Sequence, residues 1–253
     1  MNTRVYTEKT DINGDNTRSF YNERAKRWKD MECPYTLVLL GDQDPSLAEK
    51  YNRFEKESIL PKIRIDSDST VLDIGCGMGR WAESLIPICG QYVGTDFSDA
   101  IIDVAKSRCA ELPNAENSDF KCMSFQKTVS TDINDLTGGK KINRLLVCGV
   151  EMYINDNDLL SGMKSLMNLL DDKCVIYFTE TVAIKTRLTL DSHPSEALKT
   201  TYDAIYRTPD EYLEIYNILI DKGFRIVEKD FLPHINNDEK FSETDRWYVI
   251  LER

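Results

Sequence analysis

The sequence predicts an α/β protein: a doubly wound, mostly parallel sheet with a C-terminal antiparallel hairpin and an N-terminal helical cap. Three observations carry this. Short apolar runs alternate with segments of helical spacing from Thr70 onward. The first of those runs stops in a glycine turn, and the last two are joined by a polar segment with no helical pattern.

The glycine turn lies in the stretch 71–81. Val71, Leu72 and Ile74 read as a buried strand, Gly75, Gly77 and Gly79 as a tight turn, and Trp81, Ala82, Leu85 and Ile86 as the helix that follows. Such a junction gathers backbone N–H groups where no Cβ intrudes, as adenosine-bearing cofactors require. A dinucleotide fingerprint places its third glycine three residues after the second. Arg80 occupies that position here, and the third glycine falls at Gly79 instead, preceded by Asp73 at the strand end.

In chain order, residues 1–65 read as a helical cap, with an amphipathic helix over 19–29 and a second opened by Asp44 as N-cap and Pro45 at the first helical position. Residues 66–253 then form one domain. Strands are expected at 70–74, 91–95, 119–124, 143–149 and 173–179. Helices are expected from the glycine turn to about residue 88, over 98–112 and near 156–170. Thr208, Pro209 and Glu211 form a capping box that opens another helix. Strands 224–232 and 246–251 close a seven-stranded sheet. Residues 181–207 interrupt the alternation and read as a long loop at the carboxyl end of a strand, where loops usually shape a site.

Composition narrows the function. The chain has 253 residues, 41% hydrophobic and 30% charged, enough for a sizeable core. No apolar run approaches the roughly 18 residues of a membrane span, and the polar N-terminus does not read as a secretory signal. A formal charge of −11 argues against nucleic acid, whose binders need a basic face. It leaves room for a small acceptor, anionic ones included. The seven cysteines form no C-x-x-C pair and suit reduced thiols in the cytoplasm. With two histidines and no ligand spacing, no metal is expected.

Asp96 ends the second strand and lies across the sheet edge from the glycine turn, where a carboxylate can accept both ribose hydroxyls.

The stretch 71–79 with Asp73 resembles motif I of the class I S-adenosylmethionine-dependent (SAM-dependent) methyltransferases, hydrophobic-L-D-x-G-x-G-x-G. The resemblance covers about residues 65–253 and implies a Rossmann-like seven-stranded sheet, SAM as cofactor and S-adenosylhomocysteine as product. It implies that Phe97, Met123, Ser124 and Phe125 flank the adenine. The run 145–155 resembles motif IV, so that Gly149 lets the cofactor approach while Glu151 and Tyr153 face the acceptor. The carboxylate of SAM calls for a cation, for which Arg80 and Arg24 are candidates, with Tyr21 on the same helix face as Arg24.

Segments 57–61, 77–82 and 149–155 are also similar to small methyltransferases of bacterial surface-polysaccharide clusters. This implies O-methylation of a sugar, nucleotide sugar or phosphoramidate precursor. A hydroxyl acceptor needs a general base, with His193, His234, Glu180 and Glu151 as candidates. An ionised oxygen needs cations instead, and Arg187 and Arg207 beside Tyr206 suit it. The sequence leaves both open. It also leaves N-methylation of an amine, a SAM-binding module without chemistry, and a nicotinamide oxidoreductase as rivals.

Overall fold

The computed structural model of the protein describes residues 3–39, 44–195, 200–233 and 243–253. The chain opens with β1 (Arg4–Tyr6), followed by α1 (Gly14–Ala25), α2 (Thr36–Leu39), α3 (Pro45–Phe54), a π-helical turn (Glu55–Ile59) and α4 (Leu60–Ile63). Then come β2 (Thr70–Ile74), α5 (Ala82–Leu85), β3 (Gln91–Asp96), α6 (Asp99–Cys109) and β4 (Ser118–Cys122). Two short helices, α7 (Phe125–Ser130) and α8 (Ile133–Thr137), lead to β5 (Ile142–Cys148), α9 (Asp156–Leu166) and β6 (Leu170–Ala183). The chain ends with β7 (Leu188–Ser195), β8 (Thr200–Tyr206), α10 (Pro209–Ile220), β9 (Arg225–Phe231) and β10 (Thr244–Glu252).

The main sheet has seven strands in the order β4-β3-β2-β5-β6-β10-β9. The first five are parallel, and β10 runs antiparallel to both β6 and β9. All five residues of β2 are buried, as a central parallel strand covered on both faces demands. One face packs α7, α9 and α10 through residues such as Phe125, Met163 and Tyr216. The other packs α4, α5 and α6 through Ile63, Leu85 and Ala105. The chain runs outward from β2 to β4 and returns to β5 on the other side of β2. The strand order therefore switches at β2/β5, where open α/β sheets place their ligands.

Local signals explain the boundaries. The Ser98 side chain accepts from the Ile101 amide at 3.1 Å and starts α6. The reciprocal Thr208–Glu211 box starts α10. The helix after the glycine turn is shorter than its spacing suggests, because Pro87 has no N–H to continue it.

The largest departure is residues 181–207, expected as a loop. There β6 runs on to Ala183, and β7 and β8 form a hairpin that pairs with β1 in a second, three-stranded sheet. Leu188, Leu190, Tyr202 and Ala204 alternate onto one face and pack with Phe20, Tyr21 and Met152. The N-terminal cap is thus part helix and part strand.

Candidate active site

A cavity of about 330 Å³ opens at the carboxyl ends of β2, β3 and β5. At its floor Gly75 and Gly77 have φ of 71° and 54°, a region that favours glycine. A Cβ on Gly75 would sit 2.1 Å from Val150 Cγ2, and one on Gly77 2.7 Å from Val38 Cγ1. The turn can therefore carry no side chain at either position.

Asp96 lines this cavity and is held by two backbone donors. The Gly77 amide donates to Oδ2 at 3.2 Å and the Ser98 amide to Oδ1 at 3.0 Å. Burial pushes its carboxyl up to about 6 despite these donors. Phe97, Ile101, Met123, Ser124 and Phe125 line the cavity beside it. Tyr21 and Arg18 reach it from α1, and Asn13 from the residue that caps that helix. The volume lies in the range of small-molecule sites. A carboxylate aimed by two amides beside a side-chain-free turn fits the ribose and chain of an adenosine cofactor.

A second cavity, about 540 Å³, shares Val38, Gly75, Gly77, Cys148, Gly149 and Tyr153 with the first. At the shared wall Gly149 has φ of 68°, and among the described residues no atom outside its chain neighbours lies within 4 Å of where its Cβ would be. Four tyrosine hydroxyls run along this boundary. Tyr21 and Tyr153 are 2.8 Å apart, Tyr153 and Tyr202 2.5 Å apart, and Tyr202 is hydrogen-bonded to Tyr206. Burial raises Tyr21 to about 12 and pushes Tyr153 and Tyr202 well above the ordinary phenol value, so all stay neutral.

Glu180 also lines the second cavity. Its Oε1 accepts from the amides of Val150 and Glu151 at 2.8 and 2.9 Å, and Oε2 from that of Met152 at 3.3 Å. It thereby fastens the 3₁₀ turn Glu151–Tyr153 that presents Tyr153. Burial lifts Glu180 above its ordinary value, and lifts Glu151 further because Glu180 lies beside it.

Several residues singled out in the sequence lie elsewhere. Asp73 lines neither cavity. It accepts the Tyr92 hydroxyl at 2.7 Å inside the sheet, where burial raises it to about 6. Gly79, with φ of 82°, also lines neither, and its hydrogen faces Cys109 Sγ on α6. Arg80 lines the second cavity and not the first, in a buried ion pair with Glu55 at 2.7 Å. Arg24 points at the carbonyls of Thr36 and Leu37 and holds α2. Glu151 is fully buried and accepts the Tyr216 hydroxyl at 2.5 Å. His193 lines neither cavity and contacts Thr3 Oγ1 at 2.9 Å. His234 lies outside the described residues.

Arg187 and Arg207 both pair with Asp156, at 2.8 and 2.7 Å, and Arg207 also donates to the carbonyls of Glu151 and Ile154. They fasten the second sheet to the start of α9. Of the three residues expected to bind substrate, Tyr206 alone lines a cavity. The sequence reading missed Asn13, Arg18, Val38, Glu55 and Arg246 as lining residues. Arg18 had a signal, one helical turn before Tyr21; Arg246 had none, because only the β10–β6 pairing brings it to the cavity.

Residues 71–172 match the family model described as a methyltransferase domain. No curated protein matches the chain. Among solved structures, a SAM-dependent methyltransferase from Leishmania major superposes with a TM-score of 0.62 at 16% identity, over 91% of this chain and 82% of that one. Phosphoethanolamine N-methyltransferase 1 of Haemonchus contortus, in complex with phosphoethanolamine and S-adenosylhomocysteine, gives 0.66 at 16% identity. That match covers 95% of this chain, which spans 50% of the Haemonchus enzyme. Magnesium protoporphyrin IX methyltransferase from Synechocystis, with bound S-adenosylhomocysteine, gives 0.63 at 14% identity over 95% and 99%. At these identities the likenesses show the shared fold.

The match over residues 71–172 is thus to a methyltransferase domain. Beyond that segment, the chain shares the fold of SAM-dependent methyltransferases. Among the described residues no helix is long and apolar enough to cross a membrane, and no group of three or more metal-ligating side chains occurs.

Proposed function

We propose that SAM lies in the first cavity and a small polar acceptor in the second, and that the enzyme O-methylates that acceptor. The observation that carries this is the wall shared by the two cavities, in which Gly75, Gly77 and Gly149 present no side chain. Asp96 would hold the ribose, with Phe97 and Met123 beside the adenine. SAM supplies an activated methyl on a sulfonium.

The protein's own work is alignment, exclusion of water and management of one proton. Glu180 faces the second cavity and keeps lone-pair capacity on Oε2 beyond its single backbone donor, so it can take the proton from an acceptor hydroxyl. Tyr153, neutral and on the shared wall, orients the acceptor by hydrogen bonding. Burial and the neighbouring Glu180 push Glu151 well above the ordinary carboxylate range, while Glu180 is raised to about 7 and is ionised in part at neutral pH.

The acceptor reading that fits the likeness of segments 57–61, 77–82 and 149–155 is a sugar, nucleotide sugar or phosphoramidate precursor of a bacterial surface polysaccharide. Residues 1–65 serve as a lid over the domain formed by 66–253. A cytoplasmic location suits cysteines that are all free. N-methylation is the second reading, favoured by a cavity that sets the Glu180 carboxylate among tyrosines, a suitable lining for an ammonium.

The test is a SAM-dependent screen of nucleotide sugars, phosphorylated sugars and small amines, read by mass spectrometry. The proposal expects an O-methylated product formed in step with S-adenosylhomocysteine, and none once Glu180 is replaced by Gln. An N-methylated product whose formation survives that replacement overturns O-methylation in favour of the amine.

A further inference from the structure

Three arginines, Arg4, Arg80 and Arg246, line the second cavity with four carboxylates, Glu55, Glu180, Glu243 and Asp245, and they are not all paired. Glu55 stands in the π-helical turn, a geometry found mostly at functional sites. Both its oxygens are engaged: Oε2 accepts Arg80 at 2.7 Å, and Oε1 accepts the Tyr177 hydroxyl at 2.9 Å. Two further cations share this one carboxylate.

Lys56 places its ammonium 3.7 Å from the centre of the Trp81 ring, with no hydrogen-bond partner among the described residues. Burial and the nearby Arg80 charge drive it well below the ordinary lysine value. Arg246 cannot shed its proton. Its guanidinium stacks 4.2 Å from the centre of the Tyr51 ring and donates to the Leu39 carbonyl at 3.0 Å. Among the described residues no carboxylate lies at ion-pair distance from it, and the adjacent Asp245 instead accepts the Arg246 backbone amide at 2.7 Å. At the rim, Arg4 and Glu243 pair with each other.

Arg246 is half-buried, and a guanidinium fixed there on an aromatic face is well placed for a planar or tetrahedral anion. We propose that Arg246, on Tyr51 and beside the Arg80–Glu55 pair, is the subsite for an anionic group of the acceptor, a phosphate or carboxylate. This rests on the reading of the second cavity as the acceptor's. It assigns the acceptor to molecules that carry a negative group at one end and the methylated atom at the other, near Gly149 and Tyr153.

The experiment is calorimetry on the full chain, titrating S-adenosylhomocysteine first and then inorganic phosphate into the saturated protein. Wild type, Arg246→Gln and Arg246→Lys are compared. The proposal expects equal S-adenosylhomocysteine affinity in all three. Phosphate should bind wild type, weaken about tenfold or more in Arg246→Gln, and bind Arg246→Lys with intermediate affinity, the charge being kept and the stacked fork lost. Phosphate that ignores wild type, or binds Arg246→Gln as well as wild type, overturns the subsite. So does loss of S-adenosylhomocysteine affinity in Arg246→Gln with phosphate unchanged, which assigns the cation to the donor's carboxylate. A wild type that binds no S-adenosylhomocysteine overturns the reading of the whole site instead, and is seen in the first titration.

Discussion

The hydroxyls of Tyr21 and Tyr153 meet at 2.8 Å, tying the first long helix of the chain to the turn after β5. Tyr21 lines the first cavity and Tyr153 lines both, so one hydrogen bond joins the cap to the junction where transfer is proposed. Tyr153→Phe removes the shared hydroxyl and keeps the ring. Turnover should fall about 10- to 100-fold while S-adenosylhomocysteine affinity changes little, and stability should drop by about 1 kcal/mol. Steady-state kinetics and calorimetry on one preparation check both.

Donor affinity should depend on pH through Asp96. Its carboxyl, raised to about 6 by burial, must be ionised to accept two hydroxyls. Affinity for S-adenosylhomocysteine is therefore expected to be flat above about pH 6 and to fall as pH drops below it. Asp96→Asn should bind weakly and without that dependence.

Asp73 gives a stability counterpart. Folding raises its carboxyl to about 6, so the native state keeps a proton that the unfolded chain has released. Stability from this group is fully present below about pH 4 and is lost as pH rises through about 6. Relative to Asp73→Asn, the ligand-free wild type should lose up to about 3 kcal/mol across that window. Urea unfolding at a series of pH values measures the difference.

Two glycines with similar backbone angles should fail differently. A Cβ at Gly79 would lie 2.9 Å from Cys109 Sγ, so Gly79→Ala should cost about 1–3 kcal/mol of stability, with donor affinity intact in the folded fraction. Among the described residues a Cβ at Gly149 meets nothing within 4 Å, so Gly149→Ala should cost about 1 kcal/mol of backbone strain. It should also depress turnover, because the methyl intrudes where the cavities join. Thermal unfolding and initial rates separate the cases.

Arg207 tests the correction to the expected substrate residues. With its guanidinium on Asp156 and two carbonyls, Arg207→Met should destabilise the fold by about 3–5 kcal/mol. Donor affinity of what remains folded should be unchanged. A folded variant with normal stability and lost acceptor binding would restore Arg207 to the acceptor site.

The main sheet was legible because short apolar runs alternate with helical spacing and stop at a glycine or a cap, as where Ile74 meets Gly75 and where Ser98 opens a helix. Asp96 and the glycine turn were legible because a strand end and its turn are local in sequence. The second sheet was not read, although Leu188, Leu190, Tyr202 and Ala204 alternate, because its first strand, Arg4–Tyr6, lies far away in sequence and too short to signal. The arginines misled for a common reason. A guanidinium in a loop pattern suits a ligand or a buried carboxylate equally, and the partners Glu55 and Asp156 became visible only through tertiary contacts. Glu180 showed the reverse: it was among the expected bases, but its three backbone donors were not legible.

The most direct test is a crystal structure with S-adenosylhomocysteine bound. The account predicts ribose hydroxyls within hydrogen-bond distance of Asp96, adenine beside Phe97 and Met123, and the sulfur at the wall formed by Gly149 and Tyr153. A ligand whose ribose lies away from Asp96, or whose sulfur points away from the second cavity, would contradict it.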